Sequence, residues 1–275
     1  MIRVIVFAVT LFGLIALMLA ASFGSKRILN VAAVLLVPIV LVTLNVHLLL
    51  SDAYVLWSLD RVHLPATLTE AERDARALAI TDFVAGRNTR FRDLRSALSV
   101  QPASEAENRG AIRDDHPSME PERLPVEDEI DHLMDVRVVI PEVRIILLAF
   151  VLAMVGLVRL SRESEHVSLV RRQVARGGLL TLALVALVGI GIATGWERTF
   201  VLFHEILFPQ GNWAFPADSL LIQIFPNQFW FEAAAALVAL TTVEAAALVS
   251  WGRRGDAPAR PKPERRVPVA ADASP

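Results

Sequence analysis

The sequence contains no cysteine among its 275 residues. It therefore has no disulfide bonds, no thiolate ligands for a metal and no cysteine nucleophile. The formal net charge is only −2, so nothing in the charge balance favours nucleic acid as a partner. The chain also lacks a P-loop, a Gly-x-Ser-x-Gly elbow, a His-Glu-x-x-His helix and an EF-hand loop. These absences exclude the common motifs of nucleotide, serine hydrolase, zinc protease and calcium sites.

Apolar residues are in excess: they make up 54% of the chain, and the mean hydropathy is +0.49. They are concentrated in runs that approach or exceed the ~20 residues needed to cross a hydrocarbon core. These runs lie at about residues 2–24, 28–50, 142–160, 178–196 and 228–251. The sequence thus predicts an all-α polytopic membrane protein with about five transmembrane helices, an extracytoplasmic helical segment and a re-entrant or interfacial helical hairpin.

The first run shares features with a signal peptide, because it begins Met1-Ile2-Arg3 and ends in small residues. Its apolar stretch is longer than the ~7–15 residues of a signal h-region, and Lys26 and Arg27 follow it directly. We therefore expect residues 1–27 to be a retained, additional transmembrane helix.

The basic residues of the short loops predict the orientation, since they mark the cytoplasmic side. They lie after the first run, between the third and fourth runs, and in the tail: Lys26, Arg27, Arg162, Arg171, Arg172, Arg176, Arg253, Arg254, Arg260, Lys262, Arg265 and Arg266. All fall on one side if the first helix starts outside. Residues 51–141 and 197–230 then share the extracytoplasmic side, with Trp196, Trp213 and Trp230 at that interface.

Residues 51–141 form the one sizeable polar segment. Thr69 and Glu72 have capping-box spacing, so we predict a helix at about residues 70–85 that Gly86 ends. Residues 97–126 have the composition of a mobile loop, and order is expected to resume at residues 128–139. The tail, residues 252–275, is predicted to be disordered and dispensable for chemistry.

The stretch from Arg198 to Trp230 is too polar to span a bilayer and too aromatic for a water-facing loop. Its first part has helical periodicity, with one face formed by Phe200, Phe203, His204, Leu207 and Phe208. Asp218 is expected to open a second short helix, residues 220–225, which Pro226 ends. Polar groups at membrane depth are costly, so the sequence favours a site at His204 over a histidine satisfied by a backbone carbonyl.

A second candidate group has spacing i, i+4, i+7: Asp128, His132 and Asp135, with Glu129 one turn before the histidine. Carboxylates one turn from an imidazole are expected to raise its basicity, as a general base needs. The alternative is a solvated acidic face that carries an incidental histidine. Since the segment runs directly into the third apolar run, it is expected to lie at the same depth as His204.

Other polar residues in the apolar runs have simpler interpretations. Asn45 and His47 either line the same cavity or form an interfacial pair, and Glu244 is expected to lie near Arg253 and Arg254. A zinc site would require His132, His204 and a carboxylate from Asp135 or Asp218 to converge, and the sequence leaves this open.

Two segments together resemble the lipoprotein intramolecular transacylase (Lit) family of bacterial membrane enzymes. The first is Glu129-Ile130-Asp131-His132-Leu133-Met134-Asp135-Val136-Arg137, similar to the family's Glu-x-x-His-Met-x-Asp-Val. The second contains, in the family's order, Phe203, His204, Phe208, Trp213, Asp218, Leu220, Leu221, Ile222, Phe225, Pro226 and Phe229. The arrangement covers residues 28–251. Leu133 stands where methionine is usual, and the first helix and the long 97–126 loop are additions.

The resemblance implies a membrane acyltransferase of the bacterial cell membrane, with its site on the extracytoplasmic side. Such an enzyme moves an acyl chain from the diacylglyceryl group of a lipoprotein to the α-amino group of its N-terminal cysteine and leaves the lyso form. The implied partners are a diacylated lipoprotein and membrane lipids. No cofactor or metal is implied, and the oligomeric state stays open.

The family's two essential histidines correspond to His132 and His204. His132, beside its carboxylates, is the predicted base, and His204 the predicted donor to the oxyanion. The predicted supporting carboxylates and substrate-positioning residues are Glu129, Asp135, Asp218, Arg137, Asn212 and Trp213. Two other functions remain as alternatives: a metal-dependent membrane hydrolase that uses the same histidines, and a non-enzymatic membrane sensor or partner protein. A transporter is disfavoured because the third and fourth runs carry almost no internal polar groups.

Overall fold

The structure is a computed structural model that describes residues 26–63, 68–99, 127–140, 144, 148 and 164–253. The regular elements in these ranges are all helices. In chain order they are α1 (Lys26–Leu49), α2 (Asp52–Leu59), α3 (Glu70–Val84), α4 (Phe91–Leu98), α5 (127–140), α6 (Ser164–Leu207), α7 (Leu220–Ile224) and α8 (Asn227–Arg253).

Two described helices are long and apolar enough to cross a membrane, namely α6 over Val170–Leu207 and all of α8. A third span is possible if Ala33–Leu49 and Asp52–Leu59 act as one helix that is bent by 64°. These elements coincide with the predicted runs 28–50, 178–196 and 228–251. The predicted spans at 2–24 and 142–160 lie outside the described residues, apart from the helical positions 144 and 148. The predicted mobile loop 97–126 is wrong at its start, because Ala97 and Leu98 belong to α4 and are buried, and residues 100–126 lie outside the described residues. The predicted tail 252–275 is likewise wrong at its start, since α8 extends to Arg253, and the residues after 253 are not described.

Small residues allow α1, α6 and α8 to pack closely. A Cβ added at Gly177 would lie 2.5 Å from Val37, and one added at Gly178 would lie 2.9 Å from the carbonyl of Ala245. Near the end of α8, a Cβ on Gly252 would collide with that of Ala175. Gly178 of α6 meets Ala245 of α8, and the earlier Ala175 of α6 meets the later Gly252 of α8, so the two helices are antiparallel neighbours.

A polar contact lies between α1 and α8. The Asn45 side-chain nitrogen donates to Thr241 Oγ1 at 3.0 Å and to Glu244 Oε2 at 2.8 Å. Glu244 was expected near Arg253 and Arg254 as a snorkelling or paired residue; its hydrogen-bond partner here is Asn45, and Arg254 lies outside the described residues. Asn45 is its partner because the two helices bring residues 199 positions apart face to face.

A second layer of short helices covers one end of the bundle. Its core consists of buried side chains from α2 to α5 and α7, among them Leu59, Ala77, Ile80, Phe83, Leu94, Leu98, Ile130 and Ile224. The capping box at α3 is confirmed, since Thr69 accepts from the Glu72 amide and Glu72 accepts from the Thr69 amide. Gly86 follows with φ of 73°, as a helix C-terminus that ends in glycine requires.

The chain between the bundle helices forms a hairpin. Helix α6 bends at Gly195, whose φ and ψ of −177° and 81° are not helical, and its last part ends at Leu207. The predicted helical face around His204 is thus the final part of α6. The base of the hairpin is closed by Trp196, whose indole N–H donates to Asn227 Oδ1 at 2.6 Å.

The second short helix of the hairpin, α7, ends before Pro226 as predicted. Its N-cap, however, is Ser219, whose Oγ accepts from the Ile222 amide at 3.4 Å. The expectation that Asp218 opens this helix is off by one residue. The chain turns one position later, so the serine hydroxyl, and not the aspartate carboxylate, reaches the third amide of the helix.

Candidate active site

The two predicted histidines lie next to each other although they are far apart in the sequence. His132 is on α5, in the covering layer, and His204 is on the last part of α6. Their ring centroids are 6.1 Å apart and the ring planes are inclined by 36°. The site is therefore formed where the covering layer meets the end of the bundle.

Aromatic rings surround both imidazoles. Around His204, the ring centroids of Phe200, Trp213 and Phe203 lie at 4.1, 5.0 and 5.2 Å. Around His132, those of Phe208 and Phe215 lie at 4.8 and 5.7 Å, both edge to face. These rings replace part of the water around each imidazole and lower the local dielectric constant, which strengthens the electrostatic interactions of the neighbouring polar groups.

The hydrogen bond made by His204 determines its tautomer. Nδ1 lies 2.8 Å from the carbonyl oxygen of Phe200, one turn earlier on the same helix. A carbonyl can only accept, so Nδ1 carries the hydrogen and the neutral ring has its lone pair on Nε2. His204 is therefore oriented to accept a proton through Nε2.

His132 has a different environment. The residue is only 7% exposed, and its Nδ1 is buried without a hydrogen-bond partner in the part of the chain that the structure describes. Burial lowers the pKa of His132 to about 4, and the neighbouring His204 contributes to the fall, while Asp135 opposes it. Carboxylates one turn away were expected to raise its basicity, but burial outweighs them. His132 is thus a neutral imidazole near pH 7.

Asp135 connects α5 to the turn of the hairpin. Its Oδ2 accepts from the side-chain nitrogens of Gln210 at 2.7 Å and Asn212 at 2.9 Å. The turn itself is held by a bond from the Gly211 amide to the Phe208 carbonyl, and Gly211 has φ of 83°, which favours glycine. This arrangement places Trp213, the residue after Asn212, against the His204 ring.

Glu129 connects α5 to the second helix of the hairpin. It is 1% exposed, and its Oε1 accepts from the Leu221 amide at 3.3 Å. Burial raises the pKa of Glu129, and hydrogen bonds from Leu221, Ser219 and Leu220 oppose that shift. Its contacts hold α7 against α5, the helix that carries His132.

The remaining predicted residues, Arg137 and Asp218, contact groups other than the imidazoles. Arg137 donates to the Asn88 carbonyl at 3.0 Å, and its guanidinium lies 4.3 Å from the Phe83 ring centroid, so these contacts fasten α5 to α3 and the loop after it. Asp218 is exposed, and its backbone carbonyl accepts from Gln223 at 2.6 Å.

Two residues of this site were not predicted from the sequence. Gln210 supplies the second donor to Asp135, and Phe215 forms part of the wall beside His132. Phe215 precedes Pro216 within an irregular stretch, so no periodicity signals its direction. Gln210 follows Pro209 in the turn, where a side-chain amide has no distinctive pattern.

Within the described ranges, neither His132 nor His204 belongs to a group of three potential metal ligands whose ligand atoms converge. A group with ligand atoms within 4.8 Å of one another is formed by Asp60, Glu70 and Asp74. Arg73 lies among these acids and pairs with Asp74 at 3.0 Å. The zinc arrangement considered from the sequence thus has no counterpart in the described geometry of the histidines.

Comparison with known proteins places this arrangement in a family. The model of the lipoprotein intramolecular transacylase family, Lit, matches residues 31–230. An uncharacterized protein of Aquifex aeolicus (strain VF5) is 34% identical over 55 residues, which is 20% of this chain and 26% of that protein. The match therefore spans about a quarter of that relative's length.

A similar fold is found in the solved membrane-integral lipoprotein intramolecular transacylase Lit from Bacillus cereus. The TM-score is 0.59 at 17% sequence identity, and the match covers 83% of this chain and 94% of that one. At this identity the likeness concerns the fold. Because the family model covers most of the chain, including both histidine segments, the protein belongs to the lipoprotein intramolecular transacylase (Lit) family of membrane proteins.

Proposed function

We propose that this protein transfers an acyl chain within a diacylated lipoprotein, from the diacylglyceryl group to the α-amino group of the N-terminal cysteine. The observation that carries the proposal is the facing pair of imidazoles, 6.1 Å apart in an aromatic setting. One ring has its lone pair on Nε2, and the other is neutral and buried. The site lies on the extracytoplasmic side of a multi-pass protein of the bacterial cell membrane.

The proposed roles follow from the hydrogen bond of His204 and from the burial of His132. The sequence hypothesis assigned the base to His132, but the Phe200 carbonyl leaves His204 with its lone pair on Nε2. We therefore assign the base to His204. His132 supplies a neutral N–H to the ester oxygen, since its burial disfavours the protonated ring.

The reaction then needs no covalent enzyme intermediate. The amine nitrogen, as the free base, attacks the ester carbonyl carbon, and His204 Nε2 accepts a proton from that nitrogen as the C–N bond forms. The oxyanion accepts a hydrogen bond from His132. The tetrahedral carbon then expels the glyceryl oxygen, which takes the proton from His204 and becomes a hydroxyl. The products are an amide and a free hydroxyl.

The geometry also favours transfer over hydrolysis. A centroid separation of 6.1 Å lets one tetrahedral carbon place its oxygen near one ring and its nitrogen near the other. The phenylalanine and tryptophan rings reduce the access of water, which would compete with the amine. Since ester and amine belong to one substrate molecule, the protein needs only to hold a productive conformer.

Mass spectrometry of the N-terminal peptide of an abundant lipoprotein tests the proposal. The peptide is analysed from cells that lack this protein, and from cells restored with the wild type, His132→Ala or His204→Ala. An N-acylated monoacylglyceryl cysteine only in the wild-type strain supports the proposal. An identical lipid state in all four strains refutes it. Arg61→Gln, an exposed change outside the site, serves as the control and is expected to restore the product.

A further inference from the structure

Asn212 presents a polar atom that the fold does not use. Its side-chain nitrogen donates to Asp135 Oδ2 at 2.9 Å, and Gln210 donates to the same oxygen at 2.7 Å. The Asn212 Oδ1 atom is buried and has no hydrogen-bond partner among the described residues. A buried acceptor without a donor carries an uncompensated desolvation cost, so a native structure that keeps one calls for an explanation.

The orientation of this amide is determined by its neighbour. The oxygen and nitrogen of an asparagine side chain are interchangeable in shape, and their assignment depends on the surrounding hydrogen bonds. An ionised carboxylate only accepts, so Asp135 requires the Asn212 nitrogen to face it. The Asn212 oxygen therefore points away from Asp135.

The residue that carries the unpaired oxygen is connected to the surroundings of both histidines. Asp135 follows His132 by one turn of α5, so the two side chains lie on the same face of that helix. On the other side, Trp213 follows Asn212 directly, and its ring centroid lies 5.0 Å from that of His204. Asn212 thus connects Asp135, one turn from His132, to Trp213, whose ring lies tilted against that of His204.

We propose that Asn212 Oδ1 accepts one N–H of the substrate's primary amine while His204 Nε2 accepts the other. The two acceptors orient the amine so that its lone pair points at the ester carbon. Asn212 thereby contacts the substrate, and Asp135 is a positioning residue that acts through Asn212. This inference rests on the proposed transacylase function and names the groups that recognise the nucleophile.

The arrangement implies a preference among nucleophiles. A primary amine has two N–H groups, enough to satisfy both acceptors, whereas an alcohol has a single O–H and leaves one acceptor unpaired. A site that hydrogen-bonds a substrate group rejects analogues that lack it, because its own polar atoms then stay unpaired. The glyceryl hydroxyl released by the reaction is therefore a poorer nucleophile in this site than the amine.

A residue swap tests the role of the amide orientation. In Asp135→Asn, the new amide offers its own N–H to Asn212, so the Asn212 oxygen can turn towards it and leave the site. We expect kcat/KM for transfer to fall about 5- to 100-fold. In the double variant, which combines Asp135→Asn with Asn212→Asp, one oxygen of the new carboxylate accepts from the new amide and the other faces the site. Most of the activity is therefore expected to return. Glu127→Gln, on an exposed position of the same helix, is the control and should retain full activity.

A binding measurement separates this inference from the proposed function. The probes are two ether-linked lipopeptides that cannot transfer a chain, one with the α-amino group and one in which hydrogen replaces it. We expect the wild type and the swap variant to bind the amine-bearing probe about tenfold more tightly. In Asp135→Asn this preference is expected to fall several-fold without vanishing, because His204 Nε2 still accepts from the amine. Equal binding of both probes by an active wild type overturns the inference and leaves the function standing. A wild type without N-acylated product overturns the function itself.

Discussion

The burial of His132 makes the stability of this protein depend on pH in a defined direction. The pKa of His132 falls from 6.5 to about 4 on folding, chiefly because burial disfavours the charged ring. The unfolded chain therefore binds a proton at a higher pH than the folded one. The contribution of the neutral ring to stability is complete above pH ~6.5 and is lost progressively as the pH falls from there to about 4.

The size of the effect follows from the two pKa values. Linkage between them gives a loss in the free energy of unfolding of about 2 kcal/mol between pH 7 and pH 5, and of about 3 kcal/mol by pH 4. The side chain is 7% exposed, so solvent screening reduces this figure little. A loss of that size is a large part of the ~5–15 kcal/mol by which a typical domain is stable.

The assay compares wild type with His132→Gln, which keeps a polar side chain but does not titrate. Unfolding in mixed detergent micelles is followed by tryptophan fluorescence at a series of pH values from about 7 to about 4. Carboxylates contribute to both pH profiles, so the informative quantity is the difference in slope between the two proteins. His63→Gln replaces an exposed histidine and serves as the control.

We expect the wild type and His63→Gln to lose about 2 kcal/mol more than His132→Gln between pH 7 and pH 5. Parallel profiles for all three proteins would refute the reasoning, because they would mean that His132 keeps an ordinary pKa in the folded state. That result would also remove the argument for a neutral donor at this position.

Three further predictions concern the turn at Gly211, the helix contact at Gly252 and the buried carboxyl of Glu129. Gly211→Ala places a side chain at a φ of 83°, so we expect about 1 kcal/mol lower stability and a larger fractional loss of transfer than of stability, measured on the same preparation. Gly252→Ala brings a Cβ into collision with the Ala175 Cβ, so we expect about 1–3 kcal/mol lower stability in thermal unfolding, and an unchanged melting curve would show that the helices separate freely. Glu129→Gln keeps an acceptor for the Leu221 amide and removes a buried charge. Because burial raises the pKa of Glu129, the wild type is expected to lose stability as the pH rises through the titration of this carboxyl, and Glu129→Gln is not. Glu129→Ala, which leaves the Leu221 amide without its acceptor, should cost about 1–3 kcal/mol at every pH.

Local signals in the sequence predicted several elements because the physics behind them is local. The capping box of Thr69 and Glu72 needs only a single turn of chain, and it is present as predicted. Pro226 ends α7 because a proline has no amide hydrogen to donate. The apolar runs predicted α1, α6 and α8 because a hydrocarbon core requires a minimum helix length.

Contacts between distant segments could not be predicted in this way. The partner of Glu244 is Asn45, and the partners of Asp135 are Gln210 and Asn212. No spacing rule connects residues that meet only after the helices have packed. Even at α7, where the turn chemistry was recognised, Ser219 and not Asp218 takes the capping position, since the path of the chain decides which side chain reaches the amide.

The sequence by itself determined that this is a helical membrane protein and which two histidine segments distinguish it, because hydropathy, helical periodicity and motif order are properties of the chain. The tertiary structure decided how those histidines differ. The Phe200 carbonyl sets the tautomer of His204, and the packing around His132 removes it from water. A carboxylate expected to make His132 more basic is outweighed by that burial, because the desolvation of a charged ring depends on neighbours from every surrounding segment.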